Sequence, residues 1–178
     1  RFSNNYIADV LTMDLAASMT GAAPPDLPAA TQVLTQFMAR VQHATPLAER
    51  ESPLLLSGSG LTTENRLSAS DLIALLDYEY RNAAHFPAFY GSLTVPRDAP
   101  FEFIRVGADG WLDRVALKTG TLNDPVSVCG IAGYLRKRDG GWIAFAVIVN
   151  GSASRIHVSH EAAMRAAQAD LEDILARD

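Results

Sequence analysis

Leu117-Lys118-Thr119-Gly120-Thr121 is the stretch whose reading decides the fold. It follows an apolar segment, Arg114 to Leu117, and precedes a second β-like run, Val126 to Leu135. A lysine on a strand that turns at a glycine stands out here, because the chain has two lysines, Lys118 and Lys137, against thirteen arginines. The expectation is that Lys118 faces a ligand carboxylate and that the edge of its strand takes up an extended peptide.

Outward from this point the strands continue. Arg114 to Thr121, Val126 to Arg136 and Trp142 to Asn150 read as three successive strands. Their turns are Leu122 to Pro125 and Lys137 to Gly141, the second carrying Asp139-Gly140-Gly141. Connections this short imply an antiparallel meander. Ile143 to Val149 is almost wholly apolar, which predicts a central strand covered on both faces. Arg155 to Arg177 reads as a closing helix with Ala162, Ala163, Ala166, Leu171, Ile174 and Leu175 on its apolar side. On that reading His157 and His160 share a helix face as a solvated pair rather than a metal site.

Before the strands the texture is helical. Ile7, Val10, Leu11 and Leu15 recur near the helical period until Gly21, with Ser3 or Asn4 as cap. After a loop holding three prolines, Ala22 to Pro28, an amphipathic helix covers Ala29 to Gln42 with Val33, Leu34, Phe37, Met38 and Val41 on one side. Thr45 to Pro53 is polar and turn-like, and Ser57-Gly58-Ser59-Gly60 permits a tight bend. Ser68 or Ser70 caps a further helix carrying Leu72, Ile73, Leu75, Leu76 and Tyr80. Ala83 to Pro100 is irregular apart from a short helix near Pro87 to Leu93. Phe101 to Val106 has weak strand character, and Ala108-Asp109-Gly110 reads as a turn. Helices, then a three-stranded antiparallel sheet, then one long helix make the class α+β.

The 178 residues suit one domain with a real core. A net charge of −5 without a basic cluster argues against nucleic acid as a partner. No apolar run approaches the roughly 20 residues of a membrane span. Arg1 opens directly into Phe2-Ser3-Asn4-Asn5, so any export signal is expected upstream. Cys129, the only cysteine, excludes an internal disulfide and reads as a buried, inert thiol.

Three features call for a joint explanation: Ser3-Asn4-Asn5, Gly58-Ser59-Gly60 and Lys118-Thr119-Gly120. Ser-x-Asn followed 115 residues later by Lys-Thr-Gly on the first strand of a hairpin matches two of the three elements of the penicillin-interacting serine enzymes. With SNNYIADVL, SGSGLTTENRLSASDL, and VALKTGTLNDPVSVCGIAGYL followed by GGWIAFAVIVNG, the chain resembles the D-alanyl-D-alanine carboxypeptidase/endopeptidases. These are the class C low-molecular-mass penicillin-binding proteins, or DacB-type serine peptidases. Ser57 stands where that family usually has aspartate. The family's Ser-x-x-Lys is absent, since Val115 and Tyr134 lie three residues before the two lysines. The resemblance therefore implies the C-terminal portion of a single DD-peptidase domain over residues 1–178, with a penicillin-binding/β-lactamase-like transpeptidase fold.

The resemblance also implies roles. Lys118 would orient the terminal carboxylate of a peptidoglycan stem peptide. Thr119, Gly120 and Thr121 would bind the peptide along the strand edge. Ser3 would relay a proton to the leaving amine, and Asn5 would hold the substrate amide, while Asn4 is structural. The implied activity is serine-type D-Ala-D-Ala carboxypeptidase/endopeptidase, without cofactor, with β-lactams as further ligands, at the periplasmic or outer side of the cell envelope. A catalytically inactive relative that binds peptides or a partner protein through the same cleft is the alternative. A β-lactamase or esterase on the same fold is a third, which the SGSGLTTENR stretch argues against. The family's sheet has five strands, two of them from its N-terminal part, so an exposed edge here implies dimerisation or association with that part.

Overall fold

The computed structural model describes residues 3–44 and 52–178. Thr45 to Glu51, most of the predicted polar turn, lies outside the described residues. The chain forms two compact units, one running up to Leu75 and the other comprising Leu76–Asp178.

The first unit is built on two helices. α1 covers Asn5–Thr20; Asn4 caps it by accepting from the Ile7 N–H at 3.0 Å, and Gly21 ends it in the left-handed region at φ 74°. α2, Leu27–Ala44, packs against α1. It begins two residues earlier than the prolines suggest. Asp26 accepts from the Ala29 N–H at 2.8 Å, and Pro28 falls in the first turn, where its missing N–H costs nothing. The predicted stripe is realised in part: Ala30, Thr31, Met38 and Val41 are buried. On α1 the apolar residues Tyr6, Ile7, Leu11 and Leu15 are exposed, and the inward side is Thr12 and Ala16. α3, Ala69–Arg81, opens with a reciprocal cap, the Ser68 hydroxyl accepting from the Asp71 N–H and the Asp71 carboxylate from the Ser68 N–H.

In the second unit α4, Phe86–Ser92, falls where a short helix was expected. Two expectations fail just after it. Residues 101–106 are not a strand: Glu102–Ile104 is a single 3₁₀ turn, closed by Arg105 N–H donating to the Glu102 carbonyl. The turn drives Ile104 inward beneath Trp111, whose indole N–H donates to the Ile104 carbonyl at 2.8 Å. Ala108 to Gly110 is not a free turn but the start of α5, Asp109–Arg114, which buries Trp111.

The strands are β1, Val115–Leu122, β2, Val128–Arg136, and β3, Trp142–Asn150. They pair antiparallel in the order β1-β2-β3, with Lys118 opposite Ala132 and Thr121 opposite Cys129. The apolar strand β3 is therefore at an edge, and the centre is β2. Two-residue alternation explains why β3 still reads as continuous. One face, through Phe145 and Val147, joins the core under α6, and the other, through Trp142 and Ala144, joins an aromatic cluster. That second cluster surrounds Tyr134 with Phe86, Phe89, Tyr90 and Trp142. Burial raises the Tyr134 pKa, and its hydroxyl donates to the Leu76 carbonyl at 2.7 Å.

The closing helix α6 is His160–Arg177, shorter than expected, because Ser159 caps it by accepting from the Ala162 N–H. His157 thus precedes the helix, and the predicted face shared with His160 does not exist. Residues 152–155 form a tight bridge instead, and the Ile156 carbonyl accepts from the Ser127 N–H at 2.9 Å. Met164, Ala167, Leu171 and Leu175 of α6 pack on Leu117, Ile131 and Leu135.

Candidate functional site

The strand β1 decides where the chemistry can sit. Its alternation sends Val115 and Leu117 into the core under α6, and puts Ala116 on the aromatic side. Thr119 and Thr121 continue the first face, Lys118 and Gly120 the second. Opposite Lys118 across the sheet lie the small residues Ala132 and then Ala146.

Backbone groups alternate as well. Leu117 exchanges two hydrogen bonds of 2.9 Å with Thr94, on the side away from β2. In an antiparallel ladder the outward direction recurs every second residue. Thr119 and Thr121 accordingly direct their N–H and carbonyl groups to the outer edge of β1, beyond the point where Thr94 covers it. Lys118 Nζ donates to the outward Thr119 carbonyl at 2.5 Å. The Lys118 residue is exposed, yet protein crowds its ammonium enough that desolvation lowers its pKa. Gly120 is exposed, and a Cβ built on it would meet nothing within 4 Å. The arrangement offers a cation, two hydroxyls and an outward-turned strand edge within five residues.

Around Thr121 lies a contact that sequence reasoning missed. Its Oγ1 is 3.2 Å from His160 Nδ1 and 3.5 Å from Nε2, and the same Nδ1 is 3.4 Å from Cys129 Sγ. The sequence reads His160 as half of a solvated pair with His157. Its one sequence signal was Ser159, a good helix cap that fixes the residue after it at the first helical position.

Ser3 and Asn5 belong to the first unit, and β1 belongs to the second. Ser3 is exposed with φ 47°, directly before the cap Asn4, and Asn5 is the exposed first residue of α1. Asn4 is structural, as expected. The structure also gives Ser57 a setting. Asp9, one turn beyond Asn5 on α1, accepts from the Ser59 N–H at 2.8 Å and from the Ser57 hydroxyl at 3.5 Å. Ser57 and Ser59 hydroxyls lie 2.8 Å apart, and Asn65 accepts from both the Leu56 and Ser57 N–H groups. A Cβ at Gly58 would lie 2.0 Å from Thr12 Oγ1, so the 57–60 bend sits directly on α1. The bend and the start of α1 are thus one rigid piece.

Among the described residues no group of three or more His, Cys, Asp or Glu is arranged to hold a metal. A cavity of about 310 Å³ lies against α6, lined by Phe103, Trp111, Met164 and Gln168, and none of the predicted site residues lines it. Among the described residues no helix is long and apolar enough to cross a membrane.

The family model for the D-Ala-D-Ala carboxypeptidase 3 (S13) family matches residues 1–175. Among solved structures the chain is similar to penicillin binding protein 4 (dacB) from Haemophilus influenzae, with a TM-score of 0.69 at 20% identity, covering 97% of this chain and 37% of that one. The structure of penicillin binding protein 4 (dacB) from Haemophilus influenzae complexed with a novel beta-lactam gives a TM-score of 0.67 at 19% identity, covering 97% of this chain and 38% of that one. The chain therefore spans less than two-fifths of the length of these relatives. At such identities the likeness establishes the fold, and the expected α+β class holds: helices, a three-stranded antiparallel sheet and a closing helix, in the fold of penicillin binding protein 4. No curated protein matches the chain.

Proposed function

The chain belongs to the D-Ala-D-Ala carboxypeptidase 3 (S13) family, and we propose that it forms part of a serine-type D-Ala-D-Ala carboxypeptidase/endopeptidase acting on peptidoglycan stem peptides. The observation that carries this reading is the outer edge of β1, where Lys118 is followed by Thr119 and Thr121, whose backbone groups turn outward.

In the proposed reaction a serine attacks the penultimate carbonyl, D-Ala leaves, and water or an amine resolves the acyl-enzyme. Lys118 pairs with the terminal carboxylate and stabilises negative charge that develops beside it. Thr119 and Thr121 bond the peptide main chain as an added strand and offer hydroxyls to the carboxylate. Gly120 leaves room for the peptide to lie close. Ser3 relays a proton to the leaving amine, and Asn5 holds the substrate amide. We assign both units to one DD-peptidase domain, supported by a family match that runs through both. The same family membership supports β-lactams as ligands and the outer side of the cell envelope as location.

The alternative is a catalytically inactive relative that holds peptidoglycan peptides or a partner protein at the same edge without acylation; a Ser-x-x-Lys in the upstream sequence would decide for the enzyme.

Both readings require peptide binding at β1. Titration with a diacetyl-L-Lys-D-Ala-D-Ala peptide, followed by amide NMR, should shift Thr119 to Thr121. Lys118→Ala should weaken that binding at least about tenfold, a charge-assisted bond being worth roughly 1.5–3 kcal/mol. Shifts confined to other segments, or none, would refute the assignment.

A further inference from the structure

We propose that the cavity against α6 is a binding site for a small cationic amine, an ammonium group on a short apolar stem. None of the residues assigned to the β1 edge lines it, so the site stands or falls separately from the proposed activity.

The cavity measures about 310 Å³, the lower end of the range for small-molecule sites, which favours a small ligand. Ile104, Trp111 and Met164 line it from the core of the second unit. Phe103 and Val106 also line it and are 42% and 67% exposed, so apolar surface that a ligand stem would cover stands in water. The hollow keeps its shape because its two walls are bonded to each other. Gln168 Nε2 donates to the Val106 carbonyl at 2.7 Å, and Glu172 Oε1 accepts from the Ala108 N–H at 3.0 Å. Between these bonds Gly107 lies so close to α6 that a Cβ on it would sit 2.4 Å from Gln168 Nε2 and 2.5 Å from Glu172 Oε1. Loop and helix form a frame built before any ligand arrives, which lowers the cost of binding.

The polar lining is one-sided. Gln168 Nε2 donates a second bond, to Glu172 Oε1, at 2.9 Å. Both neighbours of this nitrogen are acceptors, so the orientation of the amide is fixed and both its N–H groups are spent. Gln168 Oε1 and Glu172 Oε2 are left without a hydrogen-bond partner among the described residues, and both are acceptors. Glu161 and Arg165 line the cavity as well and pair with each other one helical turn apart. Two carboxylates, Glu161 and Glu172, against the one guanidinium of Arg165 give the lining a net negative charge. Spare acceptors and an excess of negative charge select a cation that donates N–H bonds. The apolar floor selects one that carries a hydrocarbon stem.

The experiment is a charge series on the 178-residue chain, read by NMR at the Trp111 indole N–H and the Met164 methyl. The probes are phenylethylammonium, the neutral phenylethanol and the anion phenylpropionate. The ammonium should bind about five- to tenfold more tightly than the alcohol, as for one charge-assisted hydrogen bond, and the anion should bind least. Glu172→Gln, which keeps an acceptor for the Ala108 N–H, should remove that advantage and leave the alcohol within about twofold of its original affinity. Ala169→Phe, at an exposed helix position on the lining, should weaken all three probes by filling the space. An alcohol or anion that binds as well as the ammonium overturns the inference. So does binding that either substitution leaves unchanged, or the absence of any shift at Trp111 and Met164. Should Glu172→Gln fail to fold, the charge series in the unaltered chain and Ala169→Phe decide.

Discussion

At the scale of single residues, two glycines of the sheet separate folding from function. Gly120 faces open space, so Gly120→Ala should leave stability within about 0.5 kcal/mol of the parent while weakening peptide binding. Gly133 is the opposite case: a Cβ there would sit 2.0 Å from the Ala116 carbonyl oxygen and 2.8 Å from Leu117 Cα. Both are backbone atoms, so β1 itself must shift, and Gly133→Ala should cost about 1–3 kcal/mol in denaturant unfolding. Lys118 gives a pH signature. Desolvation lowers its pKa, and binding a carboxylate needs the protonated form, so affinity should be full below the folded-state pKa and lost as pH rises through it. That loss should begin below the ordinary lysine value of about 10.4. In Lys118→Arg the remaining affinity should persist to higher pH, since guanidinium stays charged. An identical pH profile for the two proteins would show that Lys118 is not the titrating group.

At the scale of elements, the informative unit is α1 together with the 57–60 bend. Asp9 ties the helix to the bend through the Ser59 N–H, and Gly58 allows the backbone to touch Thr12. Asp9→Ala leaves that N–H without its acceptor and should cost about 1–3 kcal/mol. Gly58→Ala should lift the bend from the helix, visible as faster hydrogen exchange in Ala8 to Thr12, with exchange in β2 unchanged. Exchange that is unaltered in α1 would mean the bend does not support the helix start that carries Ser3 and Asn5. The same paired logic governs α6, where Ser159 sets both the helix boundary and the place of His160.

At the scale of the whole molecule, the expectation concerns acylation. Groups that act as one catalytic unit lose on the order of 10³-fold or more when one member is missing. The 178-residue chain, without Ser-x-x-Lys, should form no covalent adduct with a labelled penicillin, whereas a protein carrying that element upstream should. Labelling of the 178-residue chain would refute this account of the nucleophile. The free edge of a three-stranded sheet also predicts self-association or association with the family's N-terminal part, measured by sedimentation, and a monomer at all concentrations would exclude the first.

What the sequence by itself determined was local and periodic. Strand boundaries, the meander, the amphipathic α2 and the Lys-Thr-Gly stretch all follow from spacing, turn residues and motif identity, which are carried by neighbours in the chain. It misjudged residues 101–110, where side-chain burial of Ile104 and Trp111 overrides weak strand propensity, and the order of strands around β3, because an apolar edge strand and a central one read alike. Only the tertiary structure decided that Thr119 and Thr121 turn outward, since Thr94 fixes the phase of β1 by pairing with Leu117. Only packing could bring His160 to Thr121 and Cys129, 39 and 31 residues away in sequence. Contacts of that range depend on how elements close on one another, and no local pattern encodes them.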